Sequence, residues 1–170
     1  MNPRNLAIFF TLFILLVIAY VGWDTFQNKF ELDRPQAQAY FLYGDKLVLG
    51  KKELINEKDA LKESFAFLLE GPSEKHKTKG YYSAIPEALR IFGYSLEDSI
   101  LILKINRGFS TYTGGTAQLR AALAQIVYTA MAQPGIHEVM LQVEGQAGPL
   151  VIGGEGYIID KPLKRSDVRF

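Results

Sequence analysis

The stretch from Leu6 to Trp23, LAIFFTLFILLVIAYVGW, constrains this chain more than any other feature. It carries no charged residue, and its only polar side chains are Thr11, Tyr20 and Trp23. Its eighteen residues make roughly 27 Å of helix, close to the ~30 Å hydrocarbon core of a bilayer. A cleaved signal peptide has a shorter apolar region followed by a small-x-small site, and Ile18-Ala19-Tyr20-Val21-Gly22-Trp23 offers none. An uncleaved single-pass anchor over residues 6–23 is therefore expected, with Tyr20 and Trp23 at the membrane interface. Residues 1–5 make a short cytoplasmic tail. Arg4 lies directly against the apolar run, whereas Lys29 and Arg34 on the far side stand among Asp24, Glu31 and Asp33. The positive-inside rule then places the C-terminal body outside the cytoplasmic membrane.

Residues 24–36 read as a frayed helical extension and linker that ends near Arg34-Pro35. Residues 37–170 suffice for one domain with a single core. The formal net charge of +1 argues against a chain built to coat nucleic acid. With no cysteine, disulfides, thiolate metal sites, thiol catalysis and a lipid-modified cysteine are all excluded.

Within the body, Ala37–Tyr43 has the aromatic content of a strand, and Gly44-Asp45 leads into a second, Lys46–Leu49, as a hairpin. Asn56–Glu70 changes period: Ala60, Leu61, Phe65, Leu68 and Leu69 recur at helical spacing until Gly71-Pro72 stops them, glycine taking a left-handed cap. Ser73–Tyr82 reads as a polar loop. Leu89–Leu96, a turn at Glu97-Asp98, and the apolar Ser99–Ile105 form a further hairpin. Asn106–Gly115 is a loop. Thr116–Gln133 carries one stripe of Leu119, Leu123, Ile126, Val127, Ala130 and Met131, and ends at Pro134-Gly135. Glu138–Glu144 alternates as a strand, and a glycine-rich segment and a basic tail follow. This order predicts an α+β fold, a two-layer sandwich with two helices packed on one face of a mixed β-sheet, preceded by a single N-terminal transmembrane helix.

Three stretches together resemble the GerM domain family, the sporulation and spore-germination domain. They are Leu68-Leu69-Glu70-Gly71-Pro72; Ser83-Ala84-Ile85-Pro86 with the strand, acidic turn and strand after it; and Ala124–Thr129 through Pro134-Gly135-Ile136 to Gly145. The likeness spans roughly residues 38–165. It implies a compact α+β domain similar to ring-building motifs, displayed outside the cytoplasmic membrane and working as an assembly module, with no catalytic residues to carry over. Gly71, Pro72, Pro86, Pro134 and Gly135 match as turn and cap positions. The chain has one copy of the domain where some relatives have two. It also has an apolar anchor where some use a lipid-modified cysteine.

Little else points to chemistry. His76 and His137 lie far apart with no HExxH pattern, so no metal site is expected, and no cofactor. No G-x-S-x-G occurs. Gly44–Lys51 has the wrong spacing for a phosphate loop, and Gly153–Gly156 precedes a strand-like segment instead of opening a helix. Glu97-Asp98 suits a turn and supplies no paired acid for glycan cleavage. The one patch with binding character is Lys75, Lys77 and Lys79 beside Tyr81 and Tyr82, which could grip an anionic partner such as wall polymer or lipid headgroups. The expected role is a non-enzymatic, membrane-tethered scaffold of the bacterial envelope, in sporulation or germination. It would bind other envelope proteins or copies of itself, and no nucleic acid. The alternatives are a module that binds cell wall or another anionic polymer and, behind it, a hydrolase accessory.

Overall fold

The computed structural model describes residues 12–22, 36–55, 59–109, 114–146, 148–152 and 157–169. The chain divides into two units, 1–35 and 36–170. In the first, residues 12–22 form a helix (α1) whose side chains are exposed on every face, Leu12 to Val21 among them. Among the described residues no helix is long and apolar enough to cross a membrane. The rest of the expected Leu6–Trp23 span, residues 6–11 and Trp23, lies outside the described residues, as do residues 24–35.

The second unit is a mixed α+β domain. Strands β1 (Gln36–Tyr43) and β2 (Lys46–Glu53) pair antiparallel along their whole length around the Gly44-Asp45 turn. Helix α2 (Ala60–Glu70) follows; Asn56, where the helical pattern was expected to begin, lies outside the described residues. The expected loop Ser73–Tyr82 is instead ordered into a one-turn helix, α3 (Glu74–Lys77), and a two-residue strand, β3 (Tyr81–Tyr82), that pairs with the end of β1. Local polar contacts hold α3: Lys77 reaches Glu74 at 2.8 Å, and Ser73 Oγ lies 2.7 Å from His76 Nδ1.

β4 (Ile91–Glu97) and β5 (Ile100–Ile105) form the second hairpin, turning at Asp98 and Ser99 with φ of 46° and 69°. Two successive positive φ values are what the right-handed twist of a two-residue hairpin demands. Helix α4 (Thr116–Ala130) then crosses over to β6 (Glu138–Val143), which runs parallel to β5. Beyond it come β7 (Leu150–Ile152), β8 (Tyr157–Ile159) and a short 3-10 turn, Arg165–Val168, none of which the sequence reading resolved. Leu163 closes a bridge with Val139 through hydrogen bonds of 2.8 and 2.9 Å, so the C-terminal segment covers the outer edge of β6.

The single mixed sheet expected from the element order is not formed. The described residues make three sheets, ordered β2-β1-β3, β4-β5-β6 and β7-β8. The reason lies on the free edge of β1. In an antiparallel strand alternate residues present both backbone groups to the same side, so Gln38, Tyr40 and Leu42 face away from β2. Leu42 pairs with β3, but the others are taken by helix side chains. Gln38 N–H donates to Ser64 Oγ (2.9 Å), Tyr40 N–H donates to Thr129 Oγ1 (3.0 Å), and Gln125 Nε2 donates to the Tyr40 carbonyl (2.8 Å). No strand of the second sheet can join there. Ser64, Gln125 and Thr129 are the buried polar residues among those described, and all three serve this edge.

This arrangement explains why α4 is buried on more than the predicted stripe. Leu119, Leu123, Ile126, Val127 and Ala130 are buried as expected, but so are Ala121, Ala122, Ala124, Gln125 and Thr129. The helix packs on β1, on α2, on β6 and on the 3-10 turn, and its small alanines permit that approach. The helix stops at Ala130, three residues before the expected Gln133. Met131 to Gln133 continue as a turn, and Gly135 (φ +83°) reverses the chain. One core, including Phe41, Phe65, Leu68, Leu103, Phe109, Ile126 and Ile152, runs through the domain.

Candidate functional site

A groove of about 710 Å3 opens between β2, the end of α2 and α3. Register builds its floor. Phe41 lies opposite Val48, Ala39 opposite Gly50 and Ala37 opposite Lys52, so these six share one face of the hairpin. Gly50 is required by space: a Cβ there would stand 2.9 Å from Phe41 Cε2. Phe67, from the last turn of α2, meets Phe41 edge-to-face at 5.1 Å. Lys52 Nζ lies 5.7 Å over the Phe67 ring and 2.7 Å from Glu70 Oε2. Both ends of that ion pair are well exposed, so it fixes geometry more than it adds stability.

The far wall follows from Gly71. Its N–H closes α2 onto the carbonyls of Phe67 and Leu68. Its φ of 80° and ψ of −179° fall in an extended region open essentially to glycine alone, and this is not the left-handed cap expected from the sequence. The chain therefore leaves the helix sharply, and Pro72 and Ser73 lead into α3. His76 packs edge-on against Tyr81 (5.4 Å), which stacks tilted on Tyr43 (5.0 Å). An aromatic floor thus carries a rim of mixed charge: Lys51, Lys52, Glu70, Glu74, Lys77.

The residues singled out in the sequence separate here. Lys77 and Tyr81 line the groove, as do Gly71 and Pro72. Lys75 and Lys79 are exposed and do not line it, and Tyr82 turns away, its hydroxyl donating to the Gly44 carbonyl (2.9 Å). Lys77 is paired with Glu74 and, of the three lysines, is the one that lines the groove. Pro86 accepts from Leu89 N–H in the turn before β4, and Pro134-Gly135 follow α4; none of these reaches the groove. Sequence reasoning missed Phe41, Phe67 and Lys52. The alternation Val48, Gly50, Lys52 was the available signal, but β2 had been expected to end at Leu49.

Among the described residues no group of three or more His, Asp or Glu side chains could hold a metal ion. An aromatic floor under paired charges suits an extended ligand of mixed polarity.

A family model described as Germane, sporulation and spore germination, matches residues 38–148, more than half of the chain. The chain belongs to this family. Outside the match lie β7, β8 and the C-terminal segment that covers β6. The Germane domain is similar in fold to the first GerMN domain of the sporulation protein GerM from Bacillus subtilis, with 17% identity, a TM-score of 0.60, and coverage of 78% of this chain and 98% of that one. It is also similar to the tandem GerMN domains of the same protein, with 21% identity, a TM-score of 0.59 and coverage of 76% of this chain. The chain spans 44% of that tandem structure, less than half its length. No curated protein matches the chain.

Proposed function

We propose that this chain is a non-catalytic assembly module of the bacterial envelope, held at the cytoplasmic membrane by Leu6–Trp23 with its Germane domain outside, and acting in sporulation or germination. The observation that carries this reading is an open apolar strand edge. Phe92, Tyr94 and Leu96 on β4 are 58%, 39% and 54% exposed on a strand that lies at the end of its sheet. Apolar rows left open on edge strands are where other chains add. Family membership and the apolar, charge-free N-terminal stretch support the envelope setting.

A lysine-directed cross-linker that cannot cross the cytoplasmic membrane tests both halves in intact cells. The full chain should be trapped in species larger than itself. Modification that appears only after the cells are broken overturns the placement. Modification without any larger species overturns assembly.

The groove favours a second reading, in which the domain holds cell-wall glycan or another anionic polymer against Tyr81 and Lys77. Alanine at Lys77 and Tyr81 together should then weaken retention on isolated walls roughly tenfold, the scale of a few modest contacts. Unchanged retention removes this reading.

A further inference from the structure

We infer that the free edge of β2 is a peptide site. An extended segment of a partner protein, with apolar and acidic residues alternating, adds there as a further strand along the groove. The inference deepens the assembly reading above by naming the chemistry of a partner, and it rests on that reading.

β2 lies at the end of its sheet, so one side of it has no neighbouring strand. The register shows what that side presents. Tyr40 turns its backbone away from β2, to Thr129 and Gln125, and Leu49 lies opposite Tyr40. Residues opposite each other in an antiparallel pair either bond to one another or both face outward, so Leu49 faces away from β1. Leu47 and Lys51, two residues to either side, do the same. Among the described residues no strand and no backbone hydrogen bond occupies these three on their outer side.

The groove opens on this same edge. Val48, Leu49, Gly50, Lys51 and Lys52 line it in an unbroken run, whereas a strand seen from its face shows alternate residues. A strand added here alternates in step with β2. Its residue opposite Gly50 points into the groove, beside Phe67 and the Phe41 ring that lies against Gly50. The next residue, opposite Lys51, points to the other face together with the Lys51 side chain.

Charge selects what that next residue is. On the rim, Glu70 is held by Lys52 and Glu74 by Lys77. Lys51 is exposed and, among the described residues, has no carboxylate partner. Lys46, Lys51 and Lys52 also outnumber Glu53 on the strand. Positive charge on an edge disfavours a second copy of β2, which carries the same charge, and attracts a segment bearing carboxylates. Strand, groove and charge describe one ligand. It has an apolar side chain for the aromatic floor, a carboxylate beside it for Lys51, and a backbone free to pair.

The probe is a fluorescent, end-blocked pentapeptide, valine-glutamate-phenylalanine-glutamate-valine, and the readout is its anisotropy with the full chain in nanodiscs. It should bind, and the same peptide with lysine for glutamate should bind at least about tenfold more weakly. N-methylation of the peptide tests edge pairing without touching the protein. Methyl groups on one alternate set of amides should abolish binding, and on the other set should leave it within about twofold. Equal effects of the two sets overturn strand addition. Lys51→Glu should turn the preference to the lysine peptide with the circular dichroism unchanged, and an unaltered preference overturns the role of Lys51. If the glutamate peptide does not bind while the lysine cross-linker still traps larger species in cells, the peptide site falls and the assembly reading stands. If the peptide binds with this methylation pattern but cells yield no larger species, the assembly reading falls and the peptide site remains. Binding of isolated wall glycan in place of the peptide gives the groove to the second reading and overturns the inference.

Discussion

Replacing Gln125 with leucine is expected to destabilise the domain by about 2–6 kcal/mol, because it strands two buried backbone groups at roughly 1–3 kcal/mol each. The Gln125 carboxamide accepts from Ala84 N–H (2.7 Å) and donates to the Tyr40 carbonyl (2.8 Å), and its side chain has no exposure to water. Leucine fills a similar volume, so the loss is one of polar satisfaction and not of packing. Against a total stability of about 5–15 kcal/mol, the variant should unfold at markedly lower denaturant or fail to accumulate. Thr129→Val strands Tyr40 N–H alone and should cost about 1–3 kcal/mol. The two substitutions meet on Tyr40, so the double variant should lose less than the sum. Denaturant titration of the three variants measures this, and strict additivity with small losses would show that the β1 edge does not depend on these side chains.

Gly108→Ala should be nearly as damaging for a different reason. A Cβ at this position would sit 2.6 Å from the Ala88 carbonyl oxygen and 2.9 Å from its carbon. Neither atom can move cheaply, because Asn106 ties the two segments together. Its N–H donates to the Arg90 carbonyl (3.0 Å), its Oδ1 accepts from Arg90 N–H (2.9 Å) and its Nδ2 donates to the Ala88 carbonyl (2.8 Å). Overpacking of this kind costs about 1–3 kcal/mol, with backbone contacts at the upper end. Gly93→Ala is the internal control, since a Cβ there meets nothing within 4 Å. A thermal melt should separate the two by several degrees, and equal melting temperatures would refute the steric account.

These two positions also show how much the sequence could tell. Features set by local chemistry were legible: the β1–β2 turn at Gly44-Asp45, the stop of α2 at Gly71-Pro72, the β4–β5 hairpin, and the apolar stripe of α4. Features set by contacts distant along the chain were not. Gln125 and Thr129 look like ordinary polar residues on a helix, and only the folded chain brings them to Tyr40. The division into separate sheets follows from that meeting, so element order alone pointed to one sheet. The candidate site was half legible. The Lys–Tyr cluster was visible as composition, but the groove also needs Phe41, Phe67 and Lys52 from three other elements. The openness of β4 was invisible for the same reason, since an edge is defined by what does not pair with it.

The edge of β1 has a consequence for biosynthesis. Its covering side chains arrive late: Gln125 and Thr129 lie 85 and 89 residues beyond Tyr40. On a chain growing from its N-terminus, the β1–β2 hairpin is complete long before the helix that shields it has been made. Through that interval the nascent domain presents the backbone of Tyr40 as an unguarded template for stray strands. Translation speed, or a holding factor that masks residues 36–53, therefore bears directly on the yield of folded protein.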